Sequence, residues 1–131
     1  EDEIVADFDL FEDWTDKYAY IIDQGKKLPE FPEECKTEEN KIRGCQSQVW
    51  FVADHNDGKI TFLATSDAAI VSGLIALLLK VYSGRTPESI LANEPTFIDK
   101  IGLGAHLSPT RNNGLASMVR AIHNMAAKAL Q

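Results

Sequence analysis

The chain has 131 residues, of which 44% are hydrophobic and 25% are charged. This length and composition predict one domain over residues 1–131 with a core of its own, and they exclude a disordered, collagenous or disulfide-dense chain. The net charge is −7, and residues 1–39 carry fourteen acidic and four basic side chains. Because nucleic acids are bound by basic surfaces, we expect no nucleic-acid partner.

Membrane association is not expected either. The longest apolar stretch, residues 68–79, has 12 residues, whereas a membrane-spanning helix needs roughly 20. We therefore predict a buried core helix there. The chain begins with the acidic residues 1–3 instead of the basic and apolar segments of a secretory signal, so we expect a cytoplasmic protein.

Two helices are predicted before residue 29. Apolar residues at helical spacing predict a short helix over residues 3–13. Asp13 is a candidate N-cap of a second helix, with Asp16 in the position of a capping box. Pro29 ends that helix, and residues 29–40 are predicted to form a loop.

The middle of the chain predicts a three-stranded antiparallel sheet. Residues 41–44 form a short extended stretch, and Asp57-Gly58 is typical of a type I′ hairpin turn between two longer strands. A two-residue turn there places Ala53 opposite Phe62 and turns one apolar face of the sheet toward the helices. The predicted members of that face are Val49, Phe51, Ala53, Ile60, Phe62 and Ala64.

Helices dominate the remainder, so the predicted class is α+β with helices on one face of the sheet. Ser66 or Asp67 is a candidate cap of a helix that runs to about residue 82 and is apolar nearly all round. A cap followed by proline, at residues 86–87 and again at residues 108–109, predicts two further helix starts.

The thiols are the best candidates for chemistry. The two cysteines, Cys35 and Cys45, and the three histidines lack the number and spacing of a metal site. A structural disulfide is not expected in the cytoplasm, which leaves one or two free thiols. Cys45 directly follows Gly44 between two predicted strands, which gives its thiol access to a partner, and nearby Lys41 and Arg43 can stabilise a thiolate.

Several segments resemble the SufE family of sulfur-acceptor proteins. Residues 40–50, Asn-Lys-Ile-Arg-Gly-Cys-Gln-Ser-Gln-Val-Trp, are similar to its signature. Residues 66–76 and 106–122 resemble two further blocks, and residues 14–29 fit the opening helices. The resemblance covers nearly the whole chain in order and implies a SufE/IscU-like fold.

This resemblance implies a function. SufE proteins take sulfur from the persulfide of a pyridoxal-phosphate-dependent cysteine desulfurase of the SufS type and deliver it to a SufBCD scaffold. Such a carrier acts with its desulfurase rather than as a stand-alone enzyme, and it needs no metal or cofactor of its own. IscU-type scaffolds use three cysteines, which this chain lacks, so cluster assembly on it is not expected.

The resemblance also assigns residues. Cys45 matches the acceptor cysteine, and Asp67 matches a position close to the cysteine loop, where it is either a helix cap or a lock on that loop. Arg111 is either half of a surface salt bridge or a contact with the desulfurase or the thiolate. The complete set of predicted loop and contact residues is Gly44, Gln46, Ser47, Gln48, Asp67 and Arg111. The role of Cys35, the oligomeric state and the choice between a Suf-type and a Csd-type desulfurase stay open.

Two alternatives differ in chemistry. A thiol hydrolase would use Cys45 with His106 or His123 as its base. A pure allosteric activator of a desulfurase would not need the Cys45 thiol, so a Cys45→Ser variant would keep working.

Overall fold

The computed structural model describes residues 2–42 and 48–130 and has the predicted α+β class. The helices are α1 (Asp2–Asp9), α2 (Trp14–Lys26), α3 (Ala69–Tyr82), α4 (Pro87–Ala92), α5 (Phe97–Lys100), α6 (Leu103–His106) and α7 (Pro109–Ala129). The strands are β1 (Val49–Asn56) and β2 (Lys59–Ser66), and a 3₁₀ turn covers Glu33–Cys35.

The hairpin between β1 and β2 has the predicted turn and register. Asp57 and Gly58 both have positive φ, 51° and 76°, as a type I′ turn requires. Ala53 is paired with Phe62 in an antiparallel ladder. Five of the six predicted inward-facing residues are at most 2% exposed, and Ala53 is half-buried. The inner face of the hairpin is therefore the face covered by helices.

The third strand of the predicted sheet is described only in part. The sheet of the described residues has two strands, and the described half of the predicted third strand forms an antiparallel bridge between Lys41 and Trp50, while residues 43 and 44 lie outside the described residues. Residues 37–40 form a turn, with the N–H of Asn40 donating to the carbonyl of Thr37. Pairing with β1 therefore begins only at Asn40.

Of the four helix starts predicted from capping signals, three are confirmed. The side chains of Asp13, Thr86 and Ser108 each accept a hydrogen bond from the backbone N–H three residues on, at 2.9 to 3.2 Å. Helix α1 is shorter than predicted and ends at Asp9. The prediction that Ser66 or Asp67 caps α3 is wrong, because its N-cap is Ala68, without a side-chain capping bond.

Helices α2 and α3 cross at two glycines. A Cβ atom built on Gly25 would lie 2.6 Å from the backbone nitrogen of Gly73, and one on Gly73 would overlap the carbonyl of Ile21. Only glycine allows the two backbones to approach this closely. This crossing fixes α3, and with it the segment leading into α3, relative to α2.

Helix α3 lies at the centre of the core. Nine of its 14 residues are buried, and it packs against α2, β2 and α7. Its apolar surface is covered by protein, as predicted from its sequence. No helix among the described residues combines the length and hydropathy needed to cross a bilayer.

Candidate functional site

The predicted acceptor cysteine and its immediate neighbours lie outside the described residues. This applies to Arg43, Gly44, Cys45, Gln46 and Ser47. The structure does describe both flanks of this segment and three of the residues predicted to act with it: Gln48, Asp67 and Arg111.

The two flanks are joined by backbone hydrogen bonds. The N–H of Ile42 donates to the carbonyl of Val49 at 2.8 Å, and the N–H of Phe51 donates to the carbonyl of Asn40 at 2.9 Å. Val49 and Phe51 are fully buried in the inner face of the sheet. The flanks are thus anchored to the core through β1.

Gln48 and Asp67 hold each other by two hydrogen bonds. The backbone N–H of Gln48 donates to Oδ1 of Asp67 at 3.0 Å, and the backbone N–H of Asp67 donates to the carbonyl of Gln48 at 3.2 Å. The pair extends the hairpin ladder one step beyond the pairing of Val49 with Ser66. Both residues are exposed, so this connection is open to solvent.

This geometry explains why Asp67 does not cap α3. Its carboxylate is occupied by the N–H of Gln48, while the hydroxyl of Ser66 accepts from the N–H of Ala68 at 3.2 Å. A hydrogen bond to a charged acceptor contributes about 1.5–3 kcal/mol, less at an exposed site. The carboxylate therefore ties the residue after the cysteine segment to the start of the central helix.

Arg111 lies in the first turn of α7, as predicted. Its backbone N–H donates to Oγ of Ser108 at 3.2 Å. Its side chain is exposed, and no described carboxylate lies within 4.0 Å of it. A cation in this first turn opposes the helix dipole, so its own helix does not stabilise it. No hydrogen bond among the described residues joins Arg111 to Gln48 or Asp67.

An aromatic cluster next to α7 was not predicted. The ring of His106 stacks on Trp14 with centroids 3.8 Å apart, and the hydroxyl of Tyr18 donates to the carbonyl of His106. Lys17 lies over the same indole, 4.9 Å from its centroid. The cluster fixes the start of α7 against the start of α2. The i, i+4 spacing of Trp14 and Tyr18 was a signal for a shared helix face, but not for its partner.

The structure also describes Cys35 and His123, the other two candidate residues for chemistry. Cys35 ends the 3₁₀ turn, is half-buried and forms no disulfide. Nε2 of His123 is buried without a hydrogen-bond partner among the described residues, and its ring lies 5.6 Å from that of Tyr82. Because Nε2 of His123 is buried, this imidazole is poorly placed to serve as the general base of a hydrolase that acts at the protein surface.

Over the described part of the chain, no three His, Cys, Asp or Glu residues could hold a metal ion.

One tyrosine has a strongly shifted pKa. Burial, a hydrogen bond to Asp7 and the charges of Asp7, Asp23 and Glu3 raise the pKa of Tyr20 to about 12. Its hydroxyl donates to Oδ2 of Asp7 at 3.0 Å and joins α1 to α2. This hydrogen bond stabilises the packing of α1 on α2.

Comparison with known families decides the identity of the domain. A sequence model of the SufE Fe-S metabolism associated domain matches residues 2–126. The chain belongs to the SufE family. It is 47% identical over 135 residues to an uncharacterized SufE-like protein of Rhizobium meliloti (strain 1021), covering 95% of this chain and 93% of the relative. It is also 47% identical over 131 residues to a SufE-like protein of Rhizobium etli, covering 95% of this chain and 88% of the relative.

A solved structure has the same fold. The solution structure of a hypothetical protein from Thermus thermophilus superposes with a TM-score of 0.81 at 23% identity, covering 98% of this chain and 94% of that one. This likeness confirms the α+β fold. Membership in the SufE family confirms the resemblance drawn from the sequence and links the chain to Fe-S metabolism.

Proposed function

We propose that this SufE-family chain, acting as one domain over residues 1–131, is a sulfur acceptor and carrier that also stimulates its donor. The donor is a SufS-like, pyridoxal-phosphate-dependent cysteine desulfurase, and the recipient is a SufBCD-like Fe-S assembly scaffold. The match to the Fe-S metabolism associated domain supports this proposal most directly.

The proposed reaction is a thiol–persulfide exchange at Cys45. The Cys45 thiolate attacks the outer sulfur of the persulfide on the desulfurase, so a new sulfur–sulfur bond forms on Cys45. The sulfur–sulfur bond on the desulfurase breaks, and its cysteine leaves as a thiolate. The exchange has no net oxidation, and its rate depends on the thiolate fraction, the leaving group and access.

The described flanks support this role for Cys45. Cys45 stands three positions after Ile42 and three before Gln48 in the sequence. The first flank is paired with β1 and the second is held by Asp67. A persulfide is easily lost to solvent thiols or oxidised, so a carrier benefits from a segment that is held until a partner binds. Asp67 is the proposed lock.

The proposed partner surface includes the cysteine segment and Arg111. In the exchange, the sulfur of Cys45 must come within bonding distance of the outer sulfur of the desulfurase persulfide. The partner must therefore contact the residues around Cys45, which we propose to be Gly44, Gln46, Ser47 and Gln48. Arg111 is exposed and unpaired within the described part of the chain. A guanidinium of this kind can pair with a carboxylate across an interface.

A desulfurase assay tests carrier against activator. Alanine release from cysteine is measured for a SufS-like desulfurase alone and with the wild-type, Cys45→Ser or Cys35→Ser protein. A carrier predicts that Cys45→Ser loses the stimulation and that Cys35→Ser retains most of it. Full stimulation by Cys45→Ser would overturn the carrier proposal in favour of an allosteric activator.

A further inference from the structure

A groove on a different part of the molecule has the features of a ligand site. It has a volume of about 500 Å³ and lies between the C-terminal part of α2, the second half of α3 and β2. Its apolar wall includes Leu28, Phe62 and Leu79. Small-molecule sites in proteins have volumes of roughly 300–1,000 Å³. Of the residues proposed for sulfur transfer that the structure describes, Gln48, Asp67 and Arg111, none lines the groove.

A buried amide faces this groove. Gln24 is 7% exposed and is the buried polar residue of the described core. Its side chain lines the groove and forms no hydrogen bond with any described residue. The amide nitrogen and oxygen of Gln24 are not fully enclosed by protein, so a molecule in the groove can reach them. A ligand group that both donates and accepts hydrogen bonds would satisfy this amide.

The charged residues lining the groove are both lysines. Lys27 and Lys80 line it, and no acidic side chain of the described residues does, although the chain as a whole has a net charge of −7. Lys27 is paired with Asp23 at 3.5 Å. Lys80 is exposed and has no carboxylate within 4.0 Å among the described residues. The groove therefore suits a ligand with one negative charge.

We propose that this groove binds a small apolar carboxylic acid that carries an amide group, the chemistry of an N-acylated amino acid. The acyl chain packs on Leu28, Phe62 and Leu79, the amide meets the side chain of Gln24, and the carboxylate pairs with Lys80. The oxygen of Ser83 accepts from the N–H of Phe62 at 2.9 Å, which leaves its hydroxyl proton free to donate to the ligand. This site does not depend on the proposed sulfur transfer.

A titration followed by ¹H–¹⁵N correlation spectra tests the site with defined probes. N-octanoylglycine has both polar groups, N-octanoylglycinamide lacks the charge, and decanoate lacks the amide. We expect saturable shifts at groove residues with N-octanoylglycine and about fivefold weaker binding of each of the other two probes. Absence of saturable shifts at the groove, or equal affinity for all three probes, would overturn the proposal.

Variants separate the two polar contacts. Lys80→Gln should remove the preference for N-octanoylglycine over its uncharged analogue, and Gln24→Leu should remove the preference over decanoate. Lys59→Gln removes a lysine outside the groove and should retain both preferences. If Gln24→Leu fails to fold, the Lys80→Gln variant still tests the proposal. If Lys80→Gln keeps the wild-type preference for N-octanoylglycine over its uncharged analogue, the proposal is wrong.

Discussion

Gln48 and Asp67 are joined by a reciprocal pair of hydrogen bonds, 3.0 and 3.2 Å long, at the end of the β1–β2 ladder. One residue directly follows the segment that contains Cys45, the proposed sulfur acceptor, and the other leads into the buried central helix. The pair is exposed, so a binding partner can reach and replace it. An exposed connection of this kind can be stable at rest and still be released on docking.

The role of Asp67 is testable by charge reversal. Asp67→Arg removes the acceptor of the Gln48 N–H, and loss of about 1–2 kcal/mol there should accelerate alkylation of Cys45 by roughly 5- to 30-fold. The same variant should react faster with the desulfurase. Alkylation by iodoacetamide, followed by mass spectrometry, measures the rate.

Two variants serve as controls for that experiment. Asp67→Asn keeps a side-chain oxygen and should fall between the wild type and Asp67→Arg. Asp99→Arg makes the same charge change at an exposed residue of α5 and should leave the alkylation rate unchanged. Equal alkylation rates for Asp67→Arg and the wild type would remove Asp67 from the mechanism.

Arg111 is predicted to matter for partner binding and not for folding. Arg111→Ala should weaken the complex with the desulfurase or slow transfer, because a desolvated interfacial ion pair is worth a few kcal/mol. The apolar stripe of α7, with Leu115 and Ile122 buried, is untouched by the substitution. Titration calorimetry with circular dichroism as a folding check measures the effect, and Arg120→Ala, an exposed arginine further along α7, is the matched control. A folded Arg111→Ala protein with wild-type affinity and transfer rate would make Arg111 an ordinary surface residue.

The α2–α3 crossing is predicted to tolerate no side chain at Gly73. Gly73→Ala places a methyl group against the carbonyl of Ile21, so we expect a loss of about 3 kcal/mol or more in the free energy of unfolding. Gly84→Ala is the comparison: its Cβ meets no atom within 4 Å, but φ is 75°, so the loss should be only about 1 kcal/mol. Urea titration measures the free energy of unfolding of both variants. Equal losses in the two variants would show that the close approach of α2 and α3 at Gly73 does not limit stability.

The raised pKa of Tyr20 predicts that the folded protein loses stability at high pH. Burial and the neighbouring carboxylates raise its pKa from 10 to about 12, so the folded state keeps the proton that the unfolded state releases. The contribution of Tyr20 is therefore complete below pH 10 and is lost as the pH rises through 12. Between these values the unfolding free energy of the wild type should fall more steeply than that of Tyr20→Phe. Parallel pH profiles from denaturant titrations would contradict this assignment.

Local sequence signals predicted the parts of the fold that are set by neighbouring residues. The Asp57-Gly58 turn fixed the hairpin register, and the hydroxyls of Thr86 and Ser108 fixed two helix starts, because each effect acts within about four residues. The predicted third strand, residues 41–44, is described only at Lys41 and Ile42, where a bridge to β1 follows directly on the turn that ends at Asn40. The apolar pattern gives no indication of that turn.

Contacts between distant parts of the chain were harder to predict. The stack of His106 on Trp14 joins residues 92 positions apart, and nothing in the sequence pattern pairs them. Asp67 was expected near the cysteine segment from the family resemblance, but its partner, the backbone N–H of Gln48, emerged only from the structure. The same holds for the groove at Gln24, since a polar residue on α2 gives no indication that α3 and β2 surround it.

The central claim is that Cys45 carries the sulfur, and peptide mass spectrometry tests it most directly. The protein is incubated with a SufS-like desulfurase and cysteine, alkylated, digested and searched for the added mass of one sulfur atom. We predict the added sulfur on the peptide that contains Cys45 and not on the peptide that contains Cys35. Sulfur found on Cys35, together with loss of acceptance in Cys35→Ser and its retention in Cys45→Ser, would contradict the account.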